Sequence, residues 1–212
     1  MLTDYGAGEP EAGPSTRITI SNNQVYESYG GYEVINSKNG MTAQHSYITF
    51  SNNISKNNDG NAFGILHCDQ CTFTGNTSSR HGNEEMAYIA GFYVKDNVTN
   101  LTISNNTSTD EGQSVPLRHT ENRVCSNNAV VCDKPTNLPP RMTGRGISVF
   151  PYTGVKSITA FGNTFTDTQT TKTMDASFYA LSDTAVNQSN NRSCGVRNIP
   201  TGTCASTVLN VN

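Results

Sequence analysis

Lys38, His67 and Lys95 each follow a short apolar run by a residue or so, and Tyr152 stands just beyond another such run. A cation set beside an anionic carboxylate neutralises it, and a neighbouring base near neutral pKa can then take the proton from the adjoining carbon. Lys, His and Tyr can each act as that base, and adjacent positive charges push the pKa of Lys or His down toward the working range. The same residues are plain solvated turn residues unless the fold brings them together in a cleft.

Two polar clusters offer other chemistry. Arg80, His81, Glu84 and Glu85 fall in one stretch, and Arg118, His119, Glu121 and Arg123 in the next long one. Carboxylates in either could form an acid and base pair for glycoside hydrolysis, with Arg80, His81, Arg118 and His119 as substrate contacts. Salt-bridged surface loops have the same composition. Of the six cysteines, Cys125 with Cys132 and Cys194 with Cys204 are spaced for small-loop disulfides in an oxidising compartment. Cys68 and Cys71 have the CxxC spacing of a zinc site, but no second pair repeats it, and Cys71 reads as a filler of the core. No metal or other cofactor is expected, and calcium is not indicated.

These residues need elements to position them, and composition limits which elements. Of 212 residues, 34% are apolar and 8% aromatic, enough for a modest core, while only 15% are charged. Asn, Ser, Thr and Gly are abundant, material for short strands and turns rather than helices. A net charge of −3 argues against nucleic acid as a partner. No apolar run is long enough to span a membrane as a helix, and the first sixteen residues have neither the basic start nor the apolar stretch of a signal peptide. The cysteines nevertheless point outside the cytoplasm. An extracellular or virion-surface location, with any leader upstream, reconciles the two.

An internal repeat decides the fold class. An alternating strand, then Ser or Gly, then Asn recurs as RITISNN, SYITFSNN, QCTFTGN, NLTISNN and KSITAFGN, ending at Asn23, Asn53, Asn76, Asn106 and Asn163. Weaker copies end at Asn128 and Asn191. Successive markers lie 30, 23, 30, 22, 35 and 28 residues apart, a solenoid coil plus loops of variable length. Five and three residues before the marker stand Ile18 and Ile20, Ile48 and Phe50, Cys71 and Phe73, Leu101 and Ile103, and Ile158 and Ala160, predicted to face inward. A second strand is predicted in each coil at 32–37, 63–68, 91–96, 146–151 and 177–182. The fold class is therefore all-β, a single-stranded solenoid coiled as a parallel β-helix, over residues 17–192. Residues 1–16 lead into it, 107–144 project as a loop, and 193–212 form a tail.

The marker Asn suits a left-handed bend, and stacked Asn side chains can hydrogen-bond from coil to coil at about 4.8 Å. The repeat also creates sequons at Asn53, Asn76, Asn100, Asn106 and Asn191, most of which are expected to be buried.

The repeated form, GI-L/V and then N-x-T-I-S-N-N, resembles the right-handed parallel β-helix repeat of the pectate-lyase-like superfamily. That resemblance covers residues 17–192 and implies a right-handed coil and a carbohydrate partner, through polysaccharide lyases, glycoside hydrolases or tailspikes. The DPHD of alginate epimerases and the NTD, DD, GHG and RIK series of polygalacturonases do not occur. EVINSKNG at 33–40 with GILHCDQCTFTGN at 64–76 is similar to a stretch of alginate and chondroitin lyases, with Leu66, His67 and Cys68 where those have Arg-His-Gly and a displaced Arg80-His81-Gly82 after the turn.

Two expectations follow. One is an enzyme, a lyase or hydrolase on an acidic polysaccharide, working beside a column of Lys38, His67 and Lys95. The other is a non-catalytic glycan-binding segment of an adhesin or tailspike, or a fragment of a larger enzyme. Neither end of the sequence looks like a capping helix, so a further chain or a second copy is expected over the solenoid ends.

Overall fold

The computed structural model describes residues 2–4, 14–28, 30–36, 44–82, 88–112, 143–150, 156–180, 185–197, 199, 202–206 and 209–211. Its strands fall into three parallel sheets, and each turn of the chain contributes to all three. Sheet A stacks Leu2–Asp4, Tyr32–Asn36, Phe63–Leu66, Tyr88–Lys95, Thr143–Phe150, Met174–Ala180 and Leu209–Val211. Sheet B contains Thr19–Ser21, Thr49–Ser51, Thr72–Thr74, Thr99–Ser104, Lys156–Phe161 and Val186–Ser189. Sheet C contains Gln24–Tyr26, Ile54–Lys56, Thr77–Ser79, Thr107–Thr109, Thr164–Thr166 and Arg192–Cys194. The chain runs B, C, A and back to B, an all-β parallel β-helix as the repeat predicts, with a third strand per coil that the marker pattern did not isolate.

The sides are short because left-handed residues recur every five positions. Arg17, Asn22 and Glu27 have positive φ, as do Tyr47, Asn52 and Asn57, then Gln70, Gly75 and Arg80, then Asn100, Asn105 and Asp110. Four residues between bends leave room for two inward and two outward side chains. The inward columns five and three before the marker are as expected: Ile48, Phe50, Cys71, Phe73, Leu101, Ile103, Ile158 and Ala160 are buried, and Ile18 and Ile20 half-buried at the end of the stack. Sheet A adds Tyr32, Phe63 and Phe92, whose rings stack at 5.2 and 5.1 Å.

The marker Asn divides its expected work with its neighbour. The left-handed residue is the one before it, Asn22, Asn52, Gly75, Asn105, Gly162 or Asn190. The marker itself points inward and builds the ladder. Asn53 Oδ1 accepts from the backbone N and Nδ2 of Asn23, and Asn76, Asn106, Asn163 and Asn191 repeat the bond in turn. The second Nδ2 proton goes to the core carbonyl of the preceding coil, as from Asn106 to Phe73 at 3.0 Å. Asn106 bonds directly to Asn163, so the copy ending at Asn128 is not a rung between them; Asn128 lies outside the described residues. Of the sequon asparagines, Asn53, Asn76, Asn106 and Asn191 are buried and Asn100 is exposed.

Two further expectations change. Cys68 and Cys71 are bonded to each other as a disulfide, both buried, so Cys71 fills its core column as half of a cystine. The end segments, read as a lead of 1–16 and a tail of 193–212, each lay strands on the stack. Leu2–Asp4 pairs with Tyr32–Asn36, Leu209–Val211 pairs with Met174–Ala180, and Cys204–Ser206 pairs antiparallel with Arg192–Cys194, closed by the expected Cys194–Cys204 disulfide. The Cys125 and Cys132 pairing lies outside the described residues.

Asn106→Ala strands the Asn76 amide and the Phe73 carbonyl and is expected to cost about 3 kcal/mol or more, since each buried polar group left unpaired costs roughly 1–3 kcal/mol. Asn105→Gly, one residue earlier, should change stability by less than about 1 kcal/mol, because Gly accepts the left-handed bend. Urea denaturation of both variants checks this; equal losses would mean that the ladder is not the stabilising member of the pair.

Candidate functional site

Two polar constellations stand out, one inside the coil and one on its surface. The inner one follows from the repeat. Two residues after the marker stand Ser55, Ser78 and Ser108, in register across sheet C, and five residues after it Asn58, His81 and Glu111. All six are fully buried. Glu111 accepts from the hydroxyls of Ser78 and Ser108, the latter at 3.0 Å, and from the His81 backbone N at 3.2 Å. A carboxylate accepting from three donors takes the proton-bearing nitrogen of His81, and Nδ1 lies 2.9 Å from Oε2. Nε2 is then the acceptor for the Ser55 hydroxyl at 3.0 Å, and Ser55 Oγ accepts from Asn58 Nδ2 at 2.8 Å.

Serine, histidine and carboxylate thus stand in the order of a nucleophile relay, but no substrate atom can reach them. Sheet A closes over the cluster. A Cβ on Gly31 would come within 2.4 Å of Ser55 Oγ, and one on Gly91 within 2.4 Å of Ser108 Oγ, so glycine is what lets the two backbones approach. The relay is a strut. It ties His81, just before residues 83–87, to Glu111, just before residues 113–142. His81, expected among loop contacts to substrate, faces the interior instead. Arg80 is exposed at the bend and lies 3.9 Å from Asp110.

The outer constellation lies on sheet A. In sequence, 83–87 and 113–142 connect sheet C to this sheet, and 37–43, 151–155 and 181–184 connect it to sheet B; all five stretches lie outside the described residues. Along its outer side run Glu33, Gly64, Tyr93, Ser148 and Tyr179, one per strand. Arg145 crosses this row. Its guanidinium carbon is 3.7 Å from the Tyr179 ring centroid, Nη1 donates to Ser148 Oγ at 3.3 Å, and Nε lies 3.6 Å from Asp175 Oδ1. Burial raises the Asp175 carboxyl above its ordinary range, against the pull of Arg145 and Arg197. Burial likewise raises Glu33. Four strand steps of about 4.8 Å separate Glu33 from Asp175, roughly 19 Å, too far for the 5–9.5 Å of a hydrolytic carboxylate pair.

The expected basic column is offset. Lys95 is in register with Leu66, while the His67 backbone N donates to the Asp96 carbonyl, so His67 and Lys95 fall one residue apart. Lys95 Nζ lies 3.6 Å from Asp96 Oδ2. Lys38, Tyr152, Arg118 and His119 lie outside the described residues, as do Glu84, Glu85, Glu121 and Arg123. Tyr93, Tyr179, Arg145 and Asp175 were not singled out in the sequence; the available signal was the position of the tyrosines between apolar residues of the second strand. Ser55 and Glu111 were not singled out either, and Glu111 fell in the stretch 107–144 expected to project; their fixed offsets from the marker are the signal that would have found them.

The right-handed β-helix region family matches residues 11–198. The chain belongs to that family. The match covers every coil from the first strand of sheet B onward and fixes the hand of the solenoid, but it names no substrate. No curated protein and no solved structure matches the chain significantly.

If the relay is a strut, Glu111→Ala should destabilise this β-helix by about 3 kcal/mol or more, because it leaves the buried donors of Ser78, Ser108 and His81 without their acceptor at roughly 1–3 kcal/mol each. Thermal melting checks it, and a loss below about 0.5 kcal/mol would contradict the placement. Hydrogen exchange should show the amides of His81 and Gly112 opening first, because their bonds close the two loop roots.

Proposed function

We propose that this β-helix binds an acidic polysaccharide along the outer face of sheet A. The observation that carries the reading is Arg145, the one buried Lys or Arg side chain among the described residues, set against Tyr179 and Ser148 on the outer side of sheet A. A guanidinium offers a planar fork to a carboxylate or sulfate, and burial weakens its competition from water. Tyr93 and Tyr179 supply apolar faces with a polar tip. Parallel strands step at about 4.8 Å, so a chain of sugars laid along the axis meets a new side chain at each coil.

Binding rather than hydrolysis is favoured because Glu33 and Asp175, the two carboxylates named on this face among the described residues, are too far apart to cooperate. Lyase chemistry would draw on Lys38 and Tyr152, which lie outside the described residues, and the same experiment reads it. Incubation with alginate, pectin and chondroitin sulfate should give retention on the polymer, with ultraviolet absorbance and reducing ends reporting any cleavage. Arg145→Gln should weaken retention at least tenfold. Failure of every polymer to bind would refute the proposal.

Asp175 gives a pH test with a definite sign. Its raised pKa means that, as pH falls toward the carboxylate range, Asp175 becomes neutral before an ordinary aspartate would and ceases to compete for Arg145. Affinity for a sulfated glycan, charged throughout, should therefore rise as pH falls from 7 toward 4. Asp175→Asn should bind more tightly at pH 7 and lose most of that pH dependence. An affinity in the wild-type chain that falls over the same range would contradict the pairing.

A further inference from the structure

Sheet B has a bend of its own, and its side chains are not the ones the backbone would select. At the corner beside the ladder, the left-handed positions are filled by Asn or Gly, the types that tolerate the conformation. Five residues earlier, in all but the last of these coils, the same conformation is imposed on Arg17, Tyr47, Gln70, Asn100 and Ser157, with φ from 52° to 61°. Only Asn100 is of a suitable type. Glu27 and Arg80 hold the same conformation at the far corner of sheet C, so what singles out the sheet B row is the set of contacts its side chains make.

Those side chains form one surface row. Gln70 Nε2 donates to Tyr47 Oη at 3.1 Å and to Asp69 Oδ2 at 3.3 Å. Asp69 Oδ1 accepts from Thr99 Oγ1 at 2.6 Å and from Asn100 Nδ2 at 3.0 Å. The Arg17 guanidinium lies 5.6 Å from the centre of the Tyr47 ring, which is 45% exposed. The bond from Thr99, with those from Asn100 and Gln70, holds the Asp69 carboxyl below the usual range, so it is a charged acceptor at neutral pH. Gln70 Oε1 and Asn100 Oδ1 have no protein partner among the described residues and stand ready to accept. Ring, amide, carboxylate and amide therefore follow one another along the axis in fixed positions, and the charges of Arg17 and Asp69 cancel.

We propose that this row on sheet B is a second binding site, for a neutral oligosaccharide lying along the solenoid axis. The Tyr47 ring takes a sugar face, and Asp69, Gln70 and Asn100 take hydroxyls on successive residues. The absence of net charge in the row distinguishes its ligand from the acidic polymer assigned to sheet A. The site stands independently of that assignment.

The test is calorimetric titration of cellohexaose, mannohexaose and chitohexaose into the wild-type chain, Tyr47→Asn, Asp69→Asn and Tyr26→Ala, with a thermal melt of each. At least one hexaose should bind, and Tyr47→Asn and Asp69→Asn should each weaken it tenfold or more. Tyr26→Ala, a tyrosine equally exposed on sheet C, should leave it unchanged. Tyr47→Asn should melt no lower than the wild type, because Asn relieves the bend. The proposal is overturned if no hexaose binds, if Tyr47→Asn retains full affinity, or if it melts lower in step with its loss of binding, which would mark the row as structural. Loss of binding in Tyr93→Ala but not in Tyr47→Asn would place the sugar on sheet A and overturn it equally.

Discussion

The asparagine ladder is the constraint on which the rest of the molecule depends. Parallel strands joined by bends can slip by one residue, and such a slip would turn every inward side chain outward. Each ladder Asn with a rung on either side prevents this by using its whole side chain. Its Oδ1 accepts two protons from the Asn of the preceding coil, and its Nδ2 gives one proton to the next rung and one to a core carbonyl. Slipping would break several buried hydrogen bonds at each rung, and the energy of leaving such groups unpaired far exceeds any packing gain. Once the rungs are fixed, Phe50 must meet Phe73, Phe63 must meet Phe92, and the serines of sheet C must meet one another.

From that register come both the inner strut and the outer face. Glycines at 31 and 91 let sheet A lie directly on the serines of sheet C, which leaves His81 and Glu111 dry and mutually satisfied. The strut fixes His81 and Glu111 to each other at the two points where the chain leaves sheet C on its way to sheet A. Arg145 and Asp175 sit on the outer face of sheet A with their charges only partly reconciled, since burial opposes ionisation of Asp175 while Arg145 favours it.

How much was legible in the sequence differs between these layers. The strands, the inward pairs such as Leu101 and Ile103, and the ladder Asn can be read because they recur at fixed offsets from a visible marker. The division of labour between Asn105 and Asn106 cannot, because two adjacent Asn give the same letter to a backbone task and a side-chain task. Asn128 misleads for a related reason: its sequence copies the end of a repeat, but a rung needs the partner geometry of Asn106 and Asn163, and those two already satisfy each other. The Lys38, His67 and Lys95 column was placed by counting from strand ends, and strand ends are the least certain part of such a count; one residue at the Lys95 end shifts the alignment. Arg145 follows a glycine in a stretch with no marker nearby, and its role depends on Tyr179 one coil away, a contact that only the register reveals.

The register across the long insertion is the central claim, because it decides which strands of sheet A are neighbours and therefore which side chains share the outer face. It can be measured by oxidative cross-linking. Thr102 and Thr159 are partners in adjacent strands of sheet B, on the outer side, within the Cα separation that a disulfide spans. Thr102→Cys with Thr159→Cys should give an intramolecular cystine detectable by peptide mass spectrometry. Thr102→Cys with Val124→Cys, the equivalent position if Asn128 were a rung, should not. A cross-link from position 102 to 124 in place of 159 would contradict the stacking and everything assigned to the face built on it.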